Sequence, residues 1–268
     1  MKKLLSFLLS LCCLFSLPAS GVELKFNTQD FPPFNYEVNG RVTGPAADII
    51  RAVCDEASFS CSFKLMVWKD AQQEVREGKA HAMFVIGWNR GRSEWLYFSP
   101  QIMETQYGFF VAKGNQLKYN DITDISGYRV GVYGPSNTSR SLEKIQQKID
   151  KNPALQPLKI DMRTDDVLVF QDLNSADRTI SAAYSNRDVG FAIIRAENLS
   201  NIRYAGAQRK LNYFIGFSKA FVGKQVVNTF NRTFIELYQS GKVADILDTY
   251  AMTPAKIEPH IIAYYTKQ

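Results

Sequence analysis

Residues 78–100 read Gly78-Lys79-Ala80-His81-Ala82-Met83-Phe84-Val85-Ile86-Gly87-Trp88-Asn89-Arg90-Gly91-Arg92-Ser93-Glu94-Trp95-Leu96-Tyr97-Phe98-Ser99-Pro100. Residues 80–86 are an apolar run of the kind expected of a buried parallel strand. Working back from it, Gly78 ends a helix that Asp70 caps, with Gln73 completing a capping box. Residues 63–67 read as a strand before that helix. Gly44-Pro45 opens an earlier helix, proline standing where its missing N–H costs nothing, and Ile49, Ile50 and Val53 give it one buried face. Residues 22–27 alternate apolar and polar and read as the first strand, ending at Pro32-Pro33. Strand, helix, strand, helix, strand is the order of an open α/β sheet, whose ligands lie at the carboxyl ends of its strands.

Working forward, residues 107–112 and 213–218 are two aromatic-rich strands of similar type. Between them a second βαβ pattern runs through a strand at 128–133, the turn Gly134-Pro135-Ser136-Asn137-Thr138, a helix to about Lys148, and strands at 158–162 and 189–194. Residues 226–238 and 243–250 read as helices split at Gly241. From Thr253 on the chain is a tail of no assigned role.

Taken together, Asp30-Phe31-Pro32-Pro33-Phe34-Asn35-Tyr36, Gly44-Pro45-Ala46-Ala47-Asp48, the strand after Gly78-Lys79, Arg90-Gly91-Arg92 and Tyr97-Phe98-Ser99-Pro100 resemble the family 3 extracellular solute-binding proteins, the polar-amino-acid-type receptors of ABC importers. The resemblance covers nearly the whole mature chain. It implies an α/β, two-lobe periplasmic binding protein fold of type II, with open, mostly parallel sheets joined by two crossing hinge strands. Residues 22–109 would form the first part of lobe 1, 110–212 lobe 2, 213–252 the return crossing and the C-terminal part of lobe 1, and 253–268 a tail.

Lys2 and Lys3 precede an uncharged apolar run over residues 4–17, then Pro18-Ala19-Ser20-Gly21 and the first acid, Glu23. That is the order of a secretory signal peptide, with a core shorter than the about 20 apolar residues of a membrane span. Cleavage after Gly21 takes 21 residues from the 268 and leaves enough chain for two lobes with separate cores. The chain has 32 Lys and Arg against 26 Asp and Glu, and removing Lys2 and Lys3 still leaves a mildly basic balance. No basic stripe carries interleaved aromatics, so a nucleic-acid partner is not expected. The leader and the resemblance point to a periplasmic monomer. Cys12 and Cys13 leave with the leader. Cys54 and Cys61 remain, and in an oxidising compartment they are expected to form a disulfide rather than stay as buried thiols. With His81 and His260 the only histidines, no metal set is recognisable, and no cofactor is expected.

The resemblance also carries over to ligand-binding positions. It puts Arg92 on the arginine that clamps a ligand carboxylate, a task suited to a planar fork of donors; by itself Arg-Gly-Arg would read as an exposed polar loop. Phe34 and Trp68 fall on positions that wall the pocket, with Tyr36 and Trp88 as further aromatics. The backbone donors of Gly87 and Trp88 would face the ligand, in a stretch one residue shorter than the family pattern between Ala82 and Arg92. Ser136, Asn137 and Thr138 fall on a turn before a second-lobe helix, where N–H groups and hydroxyls bind an anion; an N-cap alone would use the same residues. The family's acid for a ligand ammonium would follow the strand read at 189–194. Ile194 or Arg195 stands there, so either Glu197 or Asp165 supplies the charge or the ligand lacks a free amine.

The resemblance therefore implies a non-catalytic receptor that closes on a small polar, carboxylate-bearing solute and presents it to an ABC permease in the inner membrane. Two rivals remain: an enzyme on the same scaffold resembling cyclohexadienyl dehydratase, and a free receptor feeding a membrane sensor. The enzyme would need a carboxylic acid kept protonated in the cleft. No nucleophile–His–acid set is evident to support hydrolysis.

Overall fold

The computed structural model describes residues 21–177 and 179–267. Of the expected leader, residues 1–20, with Cys12 and Cys13, lie outside the described residues. In chain order the elements are β1 (Glu23–Thr28), the hairpin β2 (Tyr36–Val38) and β3 (Arg41–Thr43), α1 (Pro45–Glu56), β4 (Ser60–Leu65), α2 (Trp68–Arg76), β5 (Ala82–Ile86), α3 (Arg90–Ser93), β6 (Leu96–Phe98) and β7 (Met103–Ala112). There follow β8 (Arg129–Tyr133), α4 (Asn137–Asp150), β9 (Lys159–Arg163), α5 (Asp166–Asn174), β10 (Ala182–Asn186), α6 (Arg187–Ala196), β11 (Ile202–Ser218), α7 (Lys224–Gln239), α8 (Lys242–Asp248) and α9 (Pro259–Thr266).

The strands are ordered β4-β1-β5-β11-β7-β10-β8-β9, with β6 also paired to β11. β1 lies parallel to β4 and β5, and β8 parallel to β9 and β10. β11 belongs to both halves. Its residues from Ile202 to Tyr213 run antiparallel to β7, and from Phe214 on it pairs instead with β5 and β6. Both halves bury apolar side chains on the two faces of their sheet, as parallel strands covered by helices require. In the first, Phe26, Ile50, Phe217 and Phe230 form one core, and Met83, Ile86, Leu96 and Val75 form the core beneath α2. In the second, Phe109, Val130 and Leu142 lie on one face and Phe110, Val169 and Phe170 on the other. This is the two-lobe α/β fold that the motifs implied.

The local reasons are legible. α1 begins with Pro45 and ends in a Schellman turn: the Phe59 N–H reaches Cys54 O at 2.8 Å and the Ser58 N–H reaches Asp55 O at 3.3 Å, with Ser58 at φ 55°. The Cys54–Cys61 disulfide then ties α1 to β4, Cα atoms 6.2 Å apart. α2 differs from the expectation. It starts at Trp68 with Val67 as N-cap and no side-chain cap, so Asp70 lies inside the helix and acts on its N-terminal dipole only.

A larger correction concerns residues 189–194, expected as a strand. They lie in α6, and the strand is β10, which starts seven residues earlier, at Ala182, and ends at Asn186. The Asn186 side chain caps α6 by accepting from the N–H groups of Asp188 at 2.9 Å and Val189 at 3.3 Å. Gly190 is required where this helix meets the sheet, since a Cβ there would lie 2.4 Å from the Phe110 ring. The tail is not loose either: α9 lies on α7, with Asn231 Nδ2 donating to the Tyr265 hydroxyl at 3.1 Å.

Candidate functional site

At the carboxyl end of β1, the Phe31–Tyr36 loop is pinned to the start of α1. Ala46 N–H donates to Phe34 O at 3.2 Å, and a Cβ on Gly44, at φ 107°, would sit 2.8 Å from that same oxygen. Phe34 is turned inward, 1% exposed, its ring centroid 5.1 Å from Phe31 and 5.0 Å from Tyr213. Phe31 is the half-buried ring of the pair, and Tyr36 is half-buried at the start of β2. Phe34 therefore supports a surface that Phe31 presents.

β5 carries the decisive local feature. Ile86 pairs with Phe214 and Phe84 with Ile215, so Val85 is an extra residue in a β-bulge, and it adopts φ 57°. A β-branched residue in the left-handed region costs of order 1–3 kcal/mol. The bulge breaks the strand's alternation: Phe84 and Val85 both face the α1/α7 core, while Ile86 faces the core under α2. It thereby re-aims Gly87 and Trp88, which follow. Gly87 has open space where a Cβ would be, and Trp88 is 60% exposed.

Asn89 then caps α3, its Oδ1 accepting the Arg92 N–H at 2.8 Å. The Arg92 side chain turns back, Nη1 donating to Gly87 O at 2.8 Å, with its Cζ 5.7 Å from the Trp68 ring. Burial pulls the Arg92 pKa below the ordinary arginine value, and among the described residues no carboxylate pairs with it. Trp68, Gly87, Trp88 and Arg92 are thus brought together at the carboxyl edge of β5. A half-buried guanidinium with spare donors is able to bond an anion.

In the second half, Ser136 is the N-cap of α4. Its Oγ accepts from Ser139 N at 2.9 Å and donates to Tyr133 O at 2.7 Å, while Ser136 N donates to Ser139 Oγ at 3.0 Å. Asn137 Oδ1 accepts from Arg140. Those two side chains are occupied locally, whereas Thr138, half-buried in the first turn, makes no recorded side-chain bond. The N-terminal N–H groups of this long helix still favour an anion.

The acids also find their places. Glu197 is the C-cap residue of α6, bonded to Gln171 at 3.2 Å, and so lies a full ten-residue helix, about 15 Å, from the end of β10. Asp165 caps α5 through Leu168 N at 2.8 Å. Asp166, unnoticed in the sequence, accepts from Ser185 Oγ at 2.8 Å, and burial pushes its carboxyl up to about 6. At the crossing, Thr105 Oγ1 donates its one proton to Asp188 Oδ2 at 2.5 Å and lies 2.9 Å from Asn186 Oδ1, and Asp188 pairs with Arg187 at 3.1 Å. The sequence signal for this cluster was the Asn186-Arg187-Asp188 helix start. A separate concavity of about 270 Å³ between β1, β4 and α2 is ringed by Lys25, Lys64, Lys79 and Glu74. Its lysines already pair with Glu23, Glu74 and Glu77, so it offers no unmet charge.

A protein of Escherichia coli K12 described as ABC transporter arginine-binding protein 2 is 24% identical over 165 residues, 60% of this chain. The match spans 63% of that relative's length. Among solved structures, one from work on glutathione import in Gram-positive bacteria through GshT and the cystine importer TcyBC of Streptococcus mutans has a TM-score of 0.70 at 17% identity, covering 88% of this chain and 98% of that one. A histidine kinase sensor domain with similarity to periplasmic binding proteins has a TM-score of 0.67 at 15% identity, covering 88% and 98%. At such identities these two likenesses speak for the fold alone. The model of the bacterial extracellular solute-binding proteins, family 3, matches residues 25–253, from β1 through α8, and the chain belongs to that family.

Proposed function

We propose that the protein is a periplasmic receptor that captures a small, polar, carboxylate-bearing solute, an amino acid or related compound, by hinge closure and delivers it to an ABC importer. The observation that carries this reading is Arg92, a half-buried cation with no acid partner among the described residues, at the carboxyl edge of β5. Trp68, Phe31 supported by Phe34, Tyr36, Trp88 and the Gly87 backbone complete the first side. Ser136, Asn137 and Thr138 offer the second. We assign residues 22–109 and 213–252 to one lobe and 110–212 to the other, joined where β11 passes from β7 to β5. The arginine-binding relative supports an amino-acid-type solute.

The test is a thermal-shift screen of the mature protein against amino acids, small carboxylates and amines. A ligand that binds only the folded state raises the midpoint at saturation. Carboxylates that act on the wild type and not on Arg92→Ala support the reading; amines without a carboxylate acting alone overturn it.

One observation favours a second reading, an enzyme on the same scaffold resembling cyclohexadienyl dehydratase. Asp166, pushed up to about 6, is a carboxyl able to hold a proton near neutrality, as a general acid must. Recovery of a bound cyclohexadienyl acid unchanged supports the receptor; its turnover supports the enzyme. The sensor-domain likeness keeps a signalling output open on the ground of fold.

A further inference from the structure

Resting on the receptor reading, we propose that the solute's carboxylate is attached to an uncharged apolar or aromatic body rather than to a cationic side chain. Nine large hydrophobic side chains stand exposed among the described residues, and five of them share one kind of place. Val67 and Trp88 follow the carboxyl ends of β4 and β5, Tyr133 and Met162 stand at those of β8 and β9, and Leu168 lies in the first turn of α5 just beyond β9. Scattered apolar exposure needs no explanation, but a concentration on the ligand-facing edges of both halves marks a surface that is covered in use. Val67 at 68%, Trp88 at 60% and Met162 at 46% leave that surface to water. Met162 also sits beside the proposed anion turn, its Sδ 2.9 Å from where a Gly134 Cβ would be.

The charges point the same way. A ligand cation needs an available carboxylate or a free aromatic face. The Trp68 ring already has the Arg92 guanidinium at 5.7 Å, so a second positive charge there would be repelled. Asp165, Asp166 and Asp188 are each engaged, by Leu168 N, Ser185 Oγ, and Thr105 with Arg187. β10 ends in the amide of Asn186, itself committed to the α6 cap. Asp30 is exposed in the loop after β1, where water screens it. Of the groups named at these edges, Arg92 is the half-buried cation without an acid partner among the described residues, and it stands with a set of exposed apolar side chains; the solute that answers both is an anion with an apolar body.

The mature protein is titrated calorimetrically with 3-phenylpropanoate, phenylalanine, arginine and agmatine. The two aromatic carboxylates should bind at least tenfold more tightly than arginine, with agmatine silent. Met162→Glu should weaken 3-phenylpropanoate at least tenfold while leaving the ligand-free melting temperature unchanged, because the side chain is exposed. Arginine binding more tightly than either aromatic probe, lost in Arg92→Ala, would overturn this inference and leave the receptor reading standing. Silence of all four probes would overturn it too, and the receptor reading would fall only if the broader screen of carboxylates were also blank. Self-association abolished by Met162→Glu, with no probe bound, would assign the apolar edges to a protein contact instead.

Discussion

Arg92 is informative through the partner it lacks. Its guanidinium is partly desolvated, bonds only a backbone carbonyl, and stands over an indole. Arg92→Ala should therefore cost a carboxylate ligand about 2–5 kcal/mol, seen as loss of binding by calorimetry, while the unfolding midpoint stays near that of the wild type. Two other residues give pH dependences of opposite sign. His81 Nδ1 accepts the Lys25 N–H at 2.9 Å, which only neutral imidazole can do, and burial, with help from Lys25 and against Glu23, lowers its pKa below the ordinary histidine value. The unfolded chain then takes up this proton first, so the stabilisation is present above about pH 6.5 and is lost as pH falls through the folded pKa. His81→Asn, whose amide oxygen replaces the acceptor without titrating, should gain on the wild type in urea titrations as pH drops below about 6.5. Asp166 runs the other way. Its folded pKa, raised to about 6, makes its contribution complete below about pH 4 and lost as pH rises through 6. Asp166→Asn keeps an acceptor for Ser185 and should stabilise the protein by ~2 kcal/mol at pH 8, with no gain at pH 4. Arg92 was singled out in the sequence because the resemblance to a family pattern placed it; Asp166 was not, because burial is a property of packing that no such pattern records.

At the level of elements, patterns that announce themselves locally were readable and those decided by neighbours were not. β5 and α4 declare themselves by an apolar run and by a Ser-x-x-Ser capping pair, and both form as expected. The Asn39-Gly40 turn between β2 and β3, both residues at positive φ, is a local signal of the same strength that the reading of Tyr36 as a pocket aromatic passed over. α6 misleads because its apolar residues 189–194 look like a buried strand, whereas the strand itself, Ala182–Asn186, is short and, apart from the buried Tyr184, built of small or polar side chains beneath α4 and α5. The bulge at Val85 is invisible in composition, being fixed by the register with β11. Two predictions belong here. Ser58 holds the left-handed position of the Schellman turn that glycine favours, and it is exposed, so Ser58→Gly should stabilise by about 0.5 kcal/mol in chemical unfolding. The Cys54–Cys61 bridge closes a short loop, and replacing both by alanine should cost about 2–3 kcal/mol, measured the same way on oxidised protein.

For the whole molecule the decisive strand is β11, which pairs with β7 up to Tyr213 and with β5 from Phe214 on. Any movement of one half against the other passes through that junction and through the neighbouring start of β7. The family resemblance implied that the strands at 107–112 and 213–218 make the crossing; the second of these contains the change of partner, while Tyr107–Phe110 of the first pair with β10. Next to the junction, Thr105, Asn186, Asp188 and Tyr213 form a buried polar cluster, which fixes the geometry from which α6 departs. A solute that touched only the Arg92 side could not bias such a hinge, because an equilibrium moves only by the ligand's difference in affinity between its states. On the proposed function, closure would require contacts from the α4 turn and from Met162 as well as from Arg92 and Trp68. Small-angle scattering with a saturating ligand from the screen should show a smaller radius of gyration than the ligand-free protein. Met162→Glu should weaken the ligand and reduce this compaction at a fixed ligand concentration. Tight, Arg92-dependent binding with an unchanged scattering curve would show that the solute is held by one lobe, and hinge closure would then have no part in what a permease recognises.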